Sequence, residues 1–347
     1  VGRSDLDDEA YGEIVRESFR EAGLLNDDTG EWCRDCIHYQ QIPDISSGGD
    51  TLAARVREIE ETYSLPGNRV FYLALPPQAF QPTIRSIGEA GLNNGRGWIR
   101  LVVEKPFGTD LGSARELNEL VHRYFSESQV YRIDHYLGKE TVQNLSVLRF
   151  ANTVFESLWK RDRIRSVQVT VSESLGLEGR VGYYESSGAF RDMIQNHLTQ
   201  LVTLLAMEPP ARFDAESIRN EKVKVLRSIK TIEADEVVLG QYVAGEMGGE
   251  NVPGYLEEEG VSPDSTTPTY VNLKLSIDNW RWKGVPFFLR TGKRMPKRMT
   301  RIVIEFHRPP VAMFGRQADI PSNPNRLLIT LQPDEGFHLL FEVKEPG

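Results

Sequence analysis

The sequence predicts two domains of different class: an α/β domain with a Rossmann-type parallel sheet over residues 1–133, then an α+β domain built on a large antiparallel sheet over residues 134–347. Three observations carry this. Continuous apolar runs alternate with helix-periodic stretches in the first part, the signature of parallel strands covered on both faces. After Arg149 the pattern turns to strict alternation of apolar and polar residues, the period of antiparallel strands with one buried face. The length of 347 residues is enough for two cores, and 39% hydrophobic with 26% charged residues is ordinary for a soluble globular chain.

Ser4 and Asp7 form a weak capping box, and Ile14, Val15, Phe19 and Ala22 continue at helical spacing until Gly23. Arg3 therefore stands where a preceding strand would hand over to this helix. Ala53–Tyr63 is a second helix, Val70–Leu75 a strand stopped by Pro76-Pro77, and Ile84–Ala90 a helix. Trp98–Val103 is a strand ended by Glu104-Lys105-Pro106, and Leu111–Tyr124 is helical. A short apolar lead, Val130 and Ile133, ends at Asp134-His135-Tyr136. Ligands of such sheets bind beyond the carboxyl ends of the strands, where Leu-Pro-Pro, Glu-Lys-Pro and Asp-His-Tyr fall. In the second part Val167–Val171, Val271–Ile277, Ile302–Phe306, Leu328–Leu331 and Phe337–Val343 read as strands. Met193–Met207 reads as one strong helix, and residues 244–270 as a long excursion rich in Gly, Glu, Pro and Ser.

The net charge of −9 argues against a nucleic-acid partner. No apolar run approaches a membrane span, and the start has no signal-peptide pattern. The expected location is cytoplasmic. Cys33 and Cys36 are the only cysteines, a lone C-x-x-C without the preceding strand of a redox motif and with no partners for zinc, so reduced thiols and no metal are expected.

Chemistry concentrates in Y-R-I-D-H-Y-L-G-K-E, Tyr131–Glu140. A helix opening near His135 would put His135 and Lys139 on one face, beside the unpaired N–H groups of a helix N-terminus, as a phosphate site needs. The plainer reading is a solvated, charge-rich helix start. Lys105 at a strand end faces either solvent or a cofactor. His197, in R-D-M-I-Q-N-H-L-T-Q, sits at the edge of an apolar helix face, as a core histidine or as a base. Asp192 precedes it by five residues, about 140° around a regular helix, so Asp134 at the lip of the first sheet is the better orienting carboxylate. Glu173 ends the strand through Val171. A basic run, Lys293, Arg294, Lys297, Arg298 and Arg301, is read as one loop, either a solvated face or a cation source for an anion.

Gly2-Arg3-Ser4, F-Y-L-A-L-P-P, E-K-P-F-G, R-I-D-H-Y-L-G-K-E, V-S-E-S, R-D-M-I-Q-N-H and V-P-F-F-L-R-T-G-K-R occur in the order of the glucose-6-phosphate dehydrogenase family, which this chain resembles across nearly its whole length. E-K-P also occurs in other sugar dehydrogenases with a Rossmann domain and an open antiparallel sheet. The fourth and sixth blocks are the specific ones. The resemblance implies NADP-dependent oxidation of D-glucose 6-phosphate at C1 to 6-phospho-D-glucono-1,5-lactone, the first step of the pentose phosphate pathway. It implies His197 as general base paired with Asp134, then His135, Tyr136 and Lys139 on the sugar phosphate, and Glu173, Asp192 and Lys293 on the sugar. Arg298 adds a further cation for the substrate. It implies Arg3 on the 2′-phosphate of NADP, Leu75 against the cofactor, and Lys105 between cofactor and substrate. The family's first strand and glycine-rich loop should precede Gly2, and its sheet should continue beyond Gly347. The full-length parent is expected to be a homodimer or tetramer, and the 347-residue chain alone, without the glycine-rich loop, to be inactive. Two alternatives are another sugar oxidoreductase of the same plan and a non-catalytic sugar-phosphate sensor.

Overall fold

The computed structural model describes residues 1–311 and 323–343, and the chain forms two compact units, Val1–Ile133 and Asp134–Gly347. The end of the expected strand Phe337–Val343 is not strand: the described extended segment stops at Leu340. No helix among the described residues is long and apolar enough to cross a membrane.

The first unit runs α1 (Asp8–Glu21), α2 (Asp27–Asp35), α3 (Gly49–Thr62), β1 (Arg69–Leu73), α4 (Phe80–Glu89), β2 (Ile99–Val103), α5 (Leu111–Tyr124) and β3 (Val130–Arg132). The cap of α1 is Asp7, whose carboxylate accepts the Ala10 N–H at 2.8 Å, rather than the expected Ser4. The strands form a parallel sheet in the order β1-β2-β3. Ile84 and Ile87 of α4, Leu101 and Val103 of β2 and Leu117, Leu120 and Val121 of α5 make its core. Each such side chain contributes about 1.5–3 kcal/mol by leaving water. Cys33 is buried in α2 and Cys36 is exposed at its end, both as free thiols.

The second unit opens with α6 (Glu140–Phe150), α7 (Thr153–Leu158) and β4 (Ile164–Ser172). Then come α8 (Val181–Ala189), a π-helical segment (Phe190–Leu198), α9 (Thr199–Ala206) and α10 (Ala215–Arg227). The remaining strands are β5 (Val237–Gly240), the small hairpin β6 (Gly245–Met247) and β7 (Glu250–Val252), β8 (Tyr270–Ser276), β9 (Pro286–Gly292), β10 (Met299–Phe306), β11 (Arg326–Gln332) and β12 (Gly336–Leu340). Seven of them form one sheet in the order β12-β11-β10-β4-β9-β8-β5. Every neighbour pair is antiparallel except β4 and β9, which run parallel with Ser172 opposite Gly292. Ile194, Leu198, Leu201, Val202 and Leu205 share one core with Val167, Val169, Val171, Leu273, Ile302 and Ile304, so the π segment and α9 lie on the sheet.

The expected single helix over Met193–Met207 is thus two: a π turn feeding an α-helix. Upstream, α8 breaks at Gly188, whose φ of 57° is costly for any residue with a Cβ. Downstream, the last carbonyls of α9 have no intrahelical donors. Arg149, fully buried, donates to Leu204 O at 2.7 Å and Met207 O at 2.8 Å. The indoles of Trp159 and Trp282 donate to Leu205 O at 2.7 Å and Ala206 O at 2.8 Å. This anchors α9, which continues the π segment that carries His197. Trp159→Phe leaves the Leu205 carbonyl buried without that donor and should lower unfolding free energy by about 1–3 kcal/mol. Urea denaturation of the two chains measures it, and an unchanged midpoint would contradict this role.

Candidate active site

In the second unit the site begins where no helix forms. β3 of the first unit ends at Arg132, residues 135–138 are turn, and α6 opens only at Glu140 with Lys139 as its N-cap. His135 and Lys139 therefore do not share a helix face, contrary to the expectation; a local side-chain bond competes with the helix here. The Asp134 carboxylate accepts the Tyr136 N–H at 2.9 Å and holds the chain in an Asx-type turn.

The turn still gathers the expected residues, around Tyr136. The Lys139 ammonium lies 4.1 Å from the Tyr136 ring centroid. Tyr136 stacks on His197 at 4.3 Å and 22°, and the His135 ring meets His197 edge-on at 4.6 Å. The same Asp134 oxygen that accepts from Tyr136 lies 2.7 Å from His197 Nδ1. Both side chains are buried, His197 at 1% and Asp134 at 6% exposure, which makes this bond far stronger than a surface pair. Burial is the largest influence and opposes ionisation of Asp134, but the bond and charge of His197, the Tyr136 N–H and the charge of His135 together outweigh it and hold the carboxyl below its ordinary range. Burial pushes the Tyr136 hydroxyl up to about 12, with Thr300 hydrogen-bonded to it and the charges of Glu173, Asp134 and Asp192 acting on it.

His197 and Asp192 both belong to the π segment. Its i→i+5 ladder brings residues five apart close to one full turn, so the 140° separation expected of a regular helix does not apply. Asp192 accepts a hydrogen bond from the Tyr183 hydroxyl at 3.1 Å. Glu173 and Lys293 follow the paired ends of the parallel strands β4 and β9, and their side chains meet at 2.9 Å. The Lys293 ammonium is also 5.1 Å from the Tyr184 ring. Burial, then Asp192 and Glu173, raise the Tyr184 hydroxyl, so Glu173, Asp192 and Lys293 all act on one buried phenol.

The basic run divides, contrary to its reading as one loop. Arg301 is inside β10 opposite Thr170, and Arg294 lies 3.6 Å from Glu258. Arg298 acts on Lys139: burial lowers that ammonium, and the neighbouring guanidinium lowers it further, against Glu335 and Asp134. Two cations that repel each other mark a place where a dianion is favoured. Tyr183, Tyr184 and Thr300 were not singled out in the sequence, and no periodicity marks them. Asp134, His135 and His197 also offer potential metal-ligand atoms within 4.8 Å of one another, and two of the three are tied by the 2.7 Å bond.

In the first unit the three strands end at Leu73, Val103 and Arg132. A cavity of about 1090 Å³ at the end of β1 is lined by Arg3, Asp44, Tyr72, Leu75 and Pro76 among others. Such a volume is of the size ligand pockets have. Its wall carries one arginine, Arg3, and the Asp44 carboxyl beside apolar surface. Hydrogen bonds from Ser46, with Arg3 nearby, lower the Asp44 carboxyl. Lys105 follows the end of β2 with a cis bond to Pro106.

Comparison with known proteins matches residues 1–144 to the family model "Glucose-6-phosphate dehydrogenase, NAD binding domain" and residues 146–347 to "Glucose-6-phosphate dehydrogenase, C-terminal domain". The chain is 48% identical over 357 residues to the glucose-6-phosphate 1-dehydrogenase of Aggregatibacter actinomycetemcomitans, covering 100% of this chain and 71% of that protein. It is 50% identical over 318 residues to the enzyme of Bacillus subtilis (strain 168), covering 89% of this chain and 65% of that one. A solved glucose-6-phosphate dehydrogenase in complex with its substrate glucose-6-phosphate superposes with a TM-score of 0.87 at 40% identity, over 100% of this chain and 70% of that one.

Proposed function

The chain belongs to the glucose-6-phosphate dehydrogenase family, and on that premise we propose that it carries out NADP-dependent oxidation of D-glucose 6-phosphate at C1 to 6-phospho-D-glucono-1,5-lactone, opening the pentose phosphate pathway. The observation that supports the mechanism is the buried 2.7 Å bond between His197 Nδ1 and Asp134. It orients the imidazole with its other nitrogen, Nε2, as proton acceptor, and the carboxylate stabilises the imidazolium that forms. Nε2 takes the C1 hydroxyl proton as the C1–H bond breaks; the hydrogen leaves as hydride and C1–O becomes a carbonyl. The nicotinamide, when bound, supplies the hydride acceptor.

Lys139, His135 and Tyr136 bind the phosphate, with Arg298 behind Lys139. Glu173, Asp192 and Lys293 bind the sugar hydroxyls. The Lys293–Glu173 pair gives that side of the site an ammonium donor and a carboxylate acceptor held without further ordering cost. Arg3 would hold the 2′-phosphate of NADP at the cavity beyond β1, with Leu75 against the cofactor and Lys105 near its reactive end. The complete enzyme on this reading is a cytoplasmic homodimer or tetramer.

The test is NADP reduction by the full-length parent with glucose 6-phosphate, with glucose, and with NAD in place of NADP. Turnover that needs the 6-phosphate supports the reading, and equal turnover of both sugars overturns it. Cofactor choice has its own check. Arg3→Ala should weaken NADP binding about tenfold or more and leave NAD nearly unchanged, since only one of them carries the charge Arg3 meets. Calorimetric titration with both cofactors decides, and an unaltered preference contradicts the assignment.

A further inference from the structure

The strands β4 and β9 pair as far as Ser172 and Gly292, and beyond them the chain turns at Arg294, whose φ is 51°. For a residue with a Cβ this left-handed backbone is unfavourable, and it persists only where the surroundings hold it. Backbone bonds around the turn tie the two sugar-site segments together. Glu173 N–H donates to Gly292 O at 3.0 Å, Arg294 N–H to Leu175 O at 3.2 Å, and Met295 N–H to Glu173 O at 2.9 Å. The Arg294 side chain reaches the excursion over residues 244–270, where its guanidinium lies 3.6 Å from the Glu258 carboxylate, both half-buried. Glu258 also accepts from the Tyr242 hydroxyl at 2.9 Å. The pair lies against the backbone at Gly176, where a Cβ would stand 2.8 Å from the Glu258 carboxylate and 2.9 Å from the guanidinium. Neither Glu258 nor Arg294 has a part in the proton or hydride transfer.

We infer that Glu258 is a positioning residue for the sugar side of the site: by holding the Arg294 guanidinium it keeps residue 294 left-handed, and through that turn it sets Lys293 against Glu173. This rests on the reading of Lys293 and Glu173 as sugar-binding residues. The cause is steric. An arginine released from Glu258 relaxes out of the left-handed region, and the rotation withdraws the Arg294 and Met295 N–H groups from Leu175 and Glu173. The 2.9 Å bond between Lys293 and Glu173 then loses its fixed geometry, and ordering it again falls on the substrate. Glycine adopts a positive φ at no steric cost, so at position 294 it needs no anchor. Alanine there would carry the Cβ without the anchor.

The experiment is steady-state kinetics of the full-length parent carrying Glu258→Gln, Arg294→Ala, Arg294→Gly, the double change Glu258→Gln with Arg294→Gly, or Lys293→Ala. Gln at 258 keeps an acceptor for the Tyr242 hydroxyl. KM for glucose 6-phosphate should rise about five- to tenfold in Glu258→Gln and in Arg294→Ala, with kcat and KM for NADP changed less than about twofold. In Arg294→Gly and in the double variant it should stay within about twofold of the parent, so that glycine rescues the loss of Glu258. A merely structural loss lowers the folded fraction, which reduces kcat and leaves KM in place. If Glu258→Gln does not fold, the contrast between alanine and glycine at 294 decides by itself. An unchanged KM in Glu258→Gln, equal KM in the alanine and glycine variants, or a double variant no better than Glu258→Gln overturns the inference. Lys293→Ala separates the two levels. If it raises KM while Glu258→Gln and Arg294→Ala do not, only the role of Glu258 fails. If it leaves KM unchanged, the sugar assignment fails and this inference with it.

Discussion

His197→Asn in the full-length parent should lower kcat by about 10²-fold or more while leaving the affinity for glucose 6-phosphate largely intact. Asparagine keeps a polar group of similar reach but cannot accept a proton at neutral pH. The imidazole is buried at 1% exposure and bonded to a buried carboxylate, so water has little room to take over the role. Asp134→Asn should also lower kcat, since an amide can hold the ring yet cannot stabilise the imidazolium, and it can favour the wrong tautomer. Steady-state kinetics with a direct binding measurement distinguish the two effects. A near-normal kcat for His197→Asn would remove the histidine from the mechanism. A loss of binding without loss of kcat would reassign it to substrate recognition.

Lys139→Ala should raise KM for glucose 6-phosphate far more than for unphosphorylated glucose. A buried charged contact to a dianion is worth about 2–5 kcal/mol. Here the lower part of that range is expected, because Arg298 remains beside the vacated position and relaxes toward the phosphate. About 2–3 kcal/mol corresponds to roughly a thirty- to 150-fold rise. The mutual repulsion that lowers the Lys139 ammonium works in the same direction: phosphate binding relieves it, so part of the affinity is relief of a strained free site. Lys139→Ala should therefore also flatten the dependence of KM on ionic strength. Equal losses on both sugars would mean that Lys139 acts on something other than phosphate.

Much of this was legible before any coordinates. Apart from α2, which no apolar run announced, the strands and helices of the first unit follow apolar runs and breakers that depend only on neighbours in sequence. α5 begins and ends where Leu111–Tyr124 was expected, because Asp110 caps it and the apolar face has no competing signal. Where a side chain offered the backbone an alternative, reading by periodicity failed. Asp134 captured the Tyr136 N–H and delayed α6 to Glu140, and the π turn of Phe190–Leu198 replaced the regular helix in which Asp192 and His197 looked apart.

By itself the sequence determined the two-domain order, the classes of the two sheets, the family, and the residue types at the site, because these rest on local periodicity and on contiguous motifs. Only the tertiary structure decided how those residues act on one another. That β4 and β9 run parallel, and so bring Glu173 to Lys293, depends on which strands are neighbours, and alternation looks the same in either direction. That Tyr136, Tyr184 and Thr300 stand among the charges follows from packing between elements distant in the chain. Desolvation and Coulomb energies vary with distance in space, and no spacing along a sequence encodes that distance.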